Sequence, residues 1–393
     1  MNENFILYLW TFQLFQKALS TSDGQPIVVL SPGTRNQDSG PDFFNGKVKI
    51  GTTTWVGNIE LHINSSDWIK HQHQNDKAYD NVVLHVVYNN DKTITDKAGN
   101  AIPTIALKDL IDAELINKHK QLIYQSGSDI PCGEQIKTID AFTINSWLNR
   151  LAIERLERKS IEIQAALTKN KNNWEETFYQ YLLKYFGLKV NALPFELLAQ
   201  NTPLKIIEKH HTVFSIEALL YGQAGYLESD TESEYQQQLK KEYQFLKAKF
   251  NLTPLAHSIW KMLRLRPSNF PTIRIAQLAD LLSKKTRLFS EVIATETVRE
   301  LQKLFQVKAS KYWNTHYQFG EPVATNSEKK LGTGTINNLI INVIVPFTFV
   351  YGKAQQNEKM VDKAVQLLEN IKAENNTIIR KWNTLGVESK NAM

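Results

Sequence analysis

Residues 57–64 read GNIELHIN, and apolar and polar side chains alternate along them with a period of two. This period predicts a half-buried β-strand, because successive side chains of a strand point to opposite faces of its sheet. Ile59, Leu61 and Ile63 therefore share one face, while the asparagines, Glu60 and His62 share the other. A row of these four polar side chains is better suited to holding a cation than to facing solvent.

The sequence around this strand predicts an α/β domain over residues 1–125. Residues 81–88 read NVVLHVVY and are apolar on both faces, which indicates a central buried strand. Further strands are predicted at 26–30, 47–50, 55–64 and 102–107, with Gly51 in the turn of a hairpin. Helices are predicted over 3–18 and roughly 107–124, before and after the strands.

Beyond Asp140 the pattern becomes helical. The Gly- and Pro-containing stretch 126–136 is the predicted linker, and 137–393 is the predicted helical domain. The predicted helices are 141–168, 174–186, 194–209, 213–226, 232–250, 254–263, 271–284, 288–305, 335–348 and 357–384.

Composition narrows the class of protein. The chain has 393 residues, of which 42% are hydrophobic and 22% charged, as in a folded soluble protein. Its one cysteine, Cys132, excludes an internal disulfide framework and a CxxC metal site. The net charge of +6 permits an anionic partner without requiring one. The start of the chain shows neither a membrane span nor a signal peptide. We therefore expect a cytoplasmic protein without a membrane partner.

Asp42 and Glu60 form the candidate catalytic carboxylate pair. Asp42 precedes the hairpin whose returning strand carries Glu60, so the two side chains can meet although they lie 18 positions apart. Two close carboxylates repel each other unless a cation lies between them. A Mg²⁺ or Mn²⁺ ion there would activate water and bind a phosphate oxygen. An ordinary hairpin with exposed polar residues remains the alternative.

The order Pro41-Asp42, hairpin, Glu60-x-His62 resembles the core of the PD-(D/E)xK nucleases, with histidine in place of the usual lysine. The resemblance implies a restriction-endonuclease-like fold in which Asp42 and Glu60 bind metal. It also implies that His62 assists the attacking water or the metal. Glu3, on the preceding helix, is the matching further ligand, and Asp38 is a weaker candidate.

The histidine substitution leaves the position of the cationic group open. Imidazole is partly neutral at physiological pH, so His62 can act as a base or metal ligand but not as a permanent cation. Lys47 and Lys49, on the opposite arm of the hairpin, are alternatives for the missing ammonium. For either lysine the ordinary role of a solvated strand lysine is favoured over this one.

The whole chain also resembles a bacterial family of unknown function, which offers no established activity. Four segments carry this resemblance: QDSGPD at 37–42, NIELHINSSDW at 58–68, DNVVLHVV at 80–87 and LRLRPSNFP at 263–271.

The loop after the strand offers a second set of candidate metal ligands. His71 and His73, followed by Asp76 and Asp80, offer ligands that Zn²⁺ accepts, although such histidines commonly face water. His85 lies within an apolar run and is expected to be a hydrogen-bonded core residue. For Trp68 and Tyr79, which flank the loop, packing is favoured over stacking on a base.

Arginines surround a proline turn in the helical half. Arg264, Arg266 and Arg274 flank or follow residues 267–271, and arginine binds phosphate through two parallel hydrogen bonds. These side chains are the predicted nucleic-acid contacts and are expected to face the same cleft as Glu60. The alternative is that they link helices to carboxylates inside the bundle.

Three functions therefore remain open from the sequence. The favoured one is metal-dependent cleavage of phosphodiester bonds in DNA or RNA. The second keeps the fold as a non-catalytic nucleic-acid-binding or interaction module, because the lysine is missing. The third is a zinc-dependent hydrolase of a small substrate built on His62, His71 and His73.

Overall fold

The alternating stretch forms the long central strand of a mixed sheet. The computed structural model describes residues 2–16, 18–36, 39–125, 130, 133–228, 233–263, 265–285 and 287–393. They form two compact units, Met1–Glu134 (unit 1) and Gln135–Met393 (unit 2). Unit 1 contains the sheet and unit 2 is mainly helical, so the predicted α+β organisation is confirmed at this level. Residues 126–129 and 131–132 of the predicted linker lie outside the described part.

Seven strands and three α-helices lie within the described residues of unit 1. The strands are β1 (Leu19–Ser20), β2 (Pro26–Ser31), β3 (Thr34–Arg35), β4 (Phe43–Ile50), β5 (Thr53–Asn64), β6 (Val82–Asn89) and β7 (Thr104–Ala106). The helices are α1 (Glu3–Phe12), α2 (Asp67–Lys70) and α3 (Ala113–Gln125).

The sheet changes from antiparallel to parallel at β5. Its order is β1-β2-β4-β5-β6-β7, with β3 paired to β4. β4 and β5 form the predicted antiparallel hairpin around Gly51, which has a positive φ of 57°. β5, β6 and β7 are parallel neighbours. Gly57 permits the close approach of β5 to β6, because a Cβ there would lie 2.4 Å from Val83 Cγ1.

The core of unit 1 lies between α1 and one face of the sheet. Phe5, Ile6, Leu9 and Trp10 on α1 are buried in the same cluster as the apolar face of β5 and β6, formed by Ile59, Leu61, Leu84 and Val86. The Asn2 side chain caps α1 by accepting a hydrogen bond from the Phe5 N–H. The predicted extent of this helix, to residue 18, is wrong, because Gln13 ends it in a left-handed conformation (φ 51°).

Unit 2 is built from helices that enclose one large apolar core. They are α4 (Gly133–Ile136, whose first two residues belong to unit 1), α5 (Ala141–Lys169), α6 (Trp174–Phe186), α7 (Ala192–Asn201), α8 (Leu204–Ile207), α9 (Val213–Gln223), α10 (Glu234–Phe250), α11 (Pro271–Lys284), α12 (Leu288–Ala294), α13 (Val298–Leu304), α14 (Thr333–Leu339), α15 (Val345–Ala354), α16 (Glu358–Glu369) and α17 (Thr377–Thr384). A small hairpin, β8 (His316–Gln318) and β9 (Glu321–Pro322), completes the unit.

The predicted helix over 254–263 is wrong. Only a 3₁₀ turn, His257–Ile259, forms there. The Asn191 side chain accepts a hydrogen bond from the Lys261 N–H and donates one to the Lys261 carbonyl, and the Leu255 N–H donates to the Gln223 carbonyl. The Lys261 N–H, which a helix over 254–263 would pair with the His257 carbonyl, therefore donates to Asn191 instead.

One helical segment, Thr333–Ala354, is long and apolar enough to cross a membrane. It combines α14, α15 and a π-helical turn at Ile340–Ile344. Within its most apolar window 67% is buried inside the protein, as in a core helix. The predicted absence of a membrane partner stays a prediction, as does the cytoplasmic location.

Candidate metal centre

The polar face of β5 is buried rather than solvated. Glu60 is 5% exposed and His62 is 1% exposed, while Ile59 and Leu61 lie on the opposite, apolar face. His85 on β6 is in register with Glu60 and is fully buried. The period of two in the sequence therefore does separate a polar from an apolar face. Burying polar groups is costly unless they have partners, so their contacts decide what the site does.

Asp42 and Glu60 are brought together by the hairpin, as predicted. The Asp42 backbone N–H donates to Glu60 Oε2 at 2.9 Å, and the Leu61 N–H donates to Asp42 Oδ2 at 3.1 Å. Burial raises the pKa of both carboxyl groups, and the Glu60 charge raises that of Asp42 further. A cation beside the pair would reverse this effect, since it favours the ionised carboxylates.

Glu3 contributes to the same negative field. It is exposed at the first turn of α1, and its charge raises the pKa of both Asp42 and Glu60. Arg35 acts in the opposite direction and lowers the pKa of Asp42. The three carboxylates that the sequence singled out therefore interact electrostatically. Asp38, the weaker candidate, lies outside the described residues.

His71 and His73 extend this site. The segment after β5 turns through α2 and places His71 Nδ1 3.2 Å from His62 Nε2. Gln72, between the two histidines, has a left-handed φ of 59°, and His73 Nε2 lies 3.2 Å from Glu60 Oε1. The same carboxylate oxygen is 3.7 Å from His62 Nε2. Three imidazole nitrogens and one carboxylate oxygen therefore converge.

These distances fit one shared metal ion. The candidate ligand atoms of the three histidines all lie within 4.8 Å of one another. Two ligands at ~2.1 Å from a tetrahedral ion are roughly 3.4 Å apart, close to the 3.2 Å separations found here. His73 Nε2 is buried and makes no hydrogen bond among the described residues, despite its distance to Glu60. Its orientation suits a ligand atom better than a hydrogen-bond donor.

His85 orients His62 from behind. Its Nε2 lies 2.8 Å from His62 Nδ1, so one of the two nitrogens donates to the other. When His62 Nδ1 carries the proton, its Nε2 keeps a free lone pair toward the cluster. Burial and the neighbouring imidazoles lower the pKa of His62, and burial lowers that of His85. Both rings are therefore neutral, as metal ligation requires of His62.

An aromatic wall encloses the histidines. Tyr79 stacks on the His73 ring with centroids 3.8 Å apart. Trp68 is buried and meets His62 and His73 edge-on, at 6.5 and 5.4 Å. Burial, with the charges of Glu60 and Asp42, raises the pKa of the Tyr79 hydroxyl, which stays protonated. Trp68 and Tyr79 therefore pack, as predicted, and their packing partners are the histidines of the candidate metal centre.

The loop carboxylates predicted as partners of His71 and His73 are engaged elsewhere. Asp76 accepts a hydrogen bond from the Ala78 N–H and caps a turn. Asp80 pairs with Lys97 at 2.6 Å. The loop histidines instead join Glu60 and His62, in line with the His62/His71/His73 set of the zinc alternative. The sequence signal was the density of histidines, four within residues 62–85.

The hairpin lysines are exposed. Lys47 is in register with Val56 and Lys49 with Thr54, four and six positions before Glu60 along β5. Because each residue of a strand advances about 3.3 Å, these backbone positions lie roughly 13 Å or more from Glu60. This arrangement favours the ordinary role of solvated strand lysines.

The arginine prediction needs correction at Arg274. Its side chain is buried in unit 2 (3% exposed) and donates hydrogen bonds to Gln277, Asn269 and Thr335. Burial lowers its pKa to about 10. Arg274 is therefore not an accessible phosphate ligand, and its recorded partners are neutral rather than the carboxylates of the alternative. Arg266 is exposed, Arg264 lies outside the described residues, and the shared cleft stays a prediction.

Comparison with known proteins gives one match. A family described as "Protein of unknown function (DUF2851)" matches residues 3–377, which is nearly the whole chain. No curated protein and no solved structure matches.

Proposed function

The chain belongs to the family of proteins of unknown function DUF2851, and we propose that it is a metal-dependent hydrolase that cleaves phosphodiester bonds in nucleic acid. One observation carries the proposal, namely the convergence of Glu60 Oε1, His62 Nε2, His71 Nδ1 and His73 Nε2 beside Asp42. A His62/His71/His73 group of this geometry could hold a metal ion.

The proposed ligands are Glu60, His62, His71 and His73, with Asp42 as a further carboxylate beside them, and a water or phosphate oxygen would join in an expanded coordination shell, because four protein ligands fill a tetrahedral one. The ion would bind a phosphate oxygen, lower the pKa of its water and neutralise charge in the transition state. This assigns the role of the missing lysine to the metal, because the His62 ring is neutral. His71 is exposed, so solvent can reach the ligand set on that side.

The restriction-endonuclease-like arrangement is part of this proposal. Helix α1 packs on a sheet in which Asp42 begins a hairpin and Glu60 lies on its returning strand. A parallel strand, β6, follows beside β5. This order supports the resemblance to the PD-(D/E)xK core, with His62 in the position of the lysine.

The identity of the metal follows from the donor set. Imidazole ligands suit Zn²⁺, whereas Mg²⁺ prefers oxygen ligands. Three histidines with one glutamate therefore favour Zn²⁺, with Mn²⁺ next and Mg²⁺ last. The same donor set keeps a zinc-dependent hydrolase of a small substrate as the second candidate function.

The test compares wild type with Glu60→Gln, which removes a ligand charge while keeping the shape of the side chain. Labelled single- and double-stranded DNA and RNA are incubated with Zn²⁺, Mn²⁺ or Mg²⁺. We expect metal-dependent cleavage by wild type, loss of cleavage in Glu60→Gln, and full activity in the control Glu114→Gln, whose carboxylate pairs with Lys118 on the surface.

The outcome separates the three functions. Identical traces from wild type and Glu60→Gln on every substrate would leave the non-catalytic module as the better account. Cleavage of a small phosphodiester without cleavage of any nucleic acid would favour the second candidate.

A further inference from the structure

A large cavity adjoins the metal centre within unit 1. It has a volume of about 800 Å³, and its lining includes His73, Trp68 and Tyr79, the residues that form one side of the centre. His73 therefore belongs both to the ligand set and to the cavity wall. A molecule that fills the cavity would lie beside the ion.

The lining also holds an exposed aromatic platform. Trp55 is 47% exposed and Val56 is 60% exposed, and both line the cavity from the first half of β5. An indole ring left half in water beside a cavity offers a flat surface on which a planar group can stack. From Trp55 to Glu60 is five strand residues, or about 16 Å, and this odd step places the two side chains on opposite faces of β5. An occupant reaching both must therefore be extended and must pass the edge of β5 before Asn58, from which residue β6 pairs with it.

The charges of the lining argue against a phosphate-binding groove. Its charged residues are two carboxylates and one ammonium, namely Asp80, Asp96 and Lys97, while Tyr79 stays protonated. Lys97 is paired with Asp80. Asp96 accepts hydrogen bonds from the backbone of Ala98 and Asn100, which lowers its pKa. With so few free cations the lining attracts the phosphates of any strand only weakly, so an occupant would be held mainly by stacking and by contacts to base edges, which a duplex keeps inside its stack.

We propose that this cavity binds an unpaired strand of nucleic acid, with a base stacked on Trp55 and the phosphate to be cleaved beside His73. The inference deepens the proposed function and rests on it. Stacking on aromatic rings tolerates any base, because every base has a flat face, so the selection is for single strands rather than for sequence. Exposed Asn81 and Asn100 at the rim can donate and accept hydrogen bonds at base edges.

The test measures binding separately from cleavage. The full chain is titrated in EDTA, which prevents hydrolysis, against short labelled single-stranded DNA, single-stranded RNA and duplex, and binding is followed by fluorescence anisotropy. We expect both single strands to bind more tightly than the duplex. With few phosphate contacts, the affinity should fall only weakly with salt.

Three variants test whether the binding depends on the ring of Trp55. Trp55→Ala should weaken single-strand binding about 10-fold or more, as loss of one stacked base does, and Trp55→Phe should keep most of it. Trp147→Ala, which removes another exposed indole (56% exposed, in unit 2), is the matched control and should bind as wild type does. Because Trp55 is half exposed, its variants should fold normally, which circular dichroism checks.

The inference and the proposed function fail in different ways. Binding that depends on Trp55 without any metal-dependent cleavage would uphold the cavity and contradict the hydrolase. Equal affinity of wild type and Trp55→Ala, a preference for duplex with steep salt dependence, or no binding of any strand would overturn the cavity inference. Cleavage lost in Glu60→Gln would then leave the hydrolase intact.

Discussion

Unit 1 and unit 2 each bury a polar cluster, and the two clusters are satisfied in different ways. In unit 2, the Nη1 and Nη2 groups of Arg274 donate to the oxygens of Gln277, Asn269 and Thr335, so these donors meet acceptors, although the buried Nε has no partner among the described residues. In unit 1, Glu60 Oε1 and the ring nitrogens of His62 and His73 face one another, and His73 Nε2 has no hydrogen-bond partner in the part of the chain that the structure describes. A buried cluster whose acceptor atoms converge lacks a positive partner, and a metal ion supplies one.

The largest expected effect on stability belongs to the unit 2 cluster. Arg274→Ala removes three hydrogen bonds and leaves the buried Gln277 Oε1 without its donor, so the free energy of unfolding should fall by about 3 kcal/mol. Urea denaturation measures this change. Metal content should stay at the wild-type level.

The matched variant Arg274→Met keeps much of the apolar stem and should lose less stability. If Arg274→Ala has wild-type stability, or if it loses bound metal, the Arg274 cluster is not the purely structural counterpart of the metal centre.

A smaller effect is expected at His85, which orients His62 without reaching the ligand set. His85→Ala should weaken metal affinity roughly 10–100-fold, the usual effect of removing a partner behind a ligand. Competition with a fluorescent chelator measures the affinity. His85→Gln, which can still accept the proton of His62 Nδ1, should recover part of it; equal losses in both variants would show that the ring only fills space.

The last prediction concerns pH in the metal-free protein. The pKa of Glu60 is raised in the folded state, so the fold binds the proton more tightly than the unfolded chain does. Wild type therefore loses stability as pH rises from the unfolded pKa of about 4.3 through the raised folded value. Glu60→Gln lacks this loss and should be the more stable protein at pH 8, by about 1.4 kcal/mol for each unit of pKa shift.

Below pH 4 the difference between wild type and Glu60→Gln should disappear, because the Glu60 carboxyl is then neutral in both states. Thermal unfolding in EDTA across this pH range provides the comparison. A Glu60→Gln variant less stable than wild type at pH 8 would mean that Glu60 is stabilised by partners other than a metal.

Local patterns predicted the sheet well and the helix ends less well. The alternating residues 57–64 lie in β5 and the apolar residues 81–88 lie mostly in β6. Both strands were predictable because the side chains that a strand buries on one or both faces leave a local sequence pattern. The helix predicted over 254–263 does not form, and the Lys261 N–H that it would pair internally donates to the Asn191 side chain instead. No local pattern encodes such contacts.

The candidate site was predictable in its strand residues and only partly in its loop. Asp42, Glu60 and His62 followed from hairpin geometry and strand period. The contact of His73 with Glu60 depends on a left-handed Gln72 and a turn through α2, which spacing does not specify. The burial of Arg274 was missed because an arginine beside a proline turn has the same sequence pattern whether it faces water or a helix bundle.

The most direct test of the metal centre is the metal content of the purified full chain. Wild type, His73→Ala and the control His211→Ala, which removes an exposed histidine of unit 2, are loaded with Zn²⁺, dialysed and measured by mass spectrometry. We predict one ion per chain in wild type and in the control, and a large loss in a folded His73→Ala. Wild type without bound metal, or His73→Ala with the wild-type content, would contradict the account.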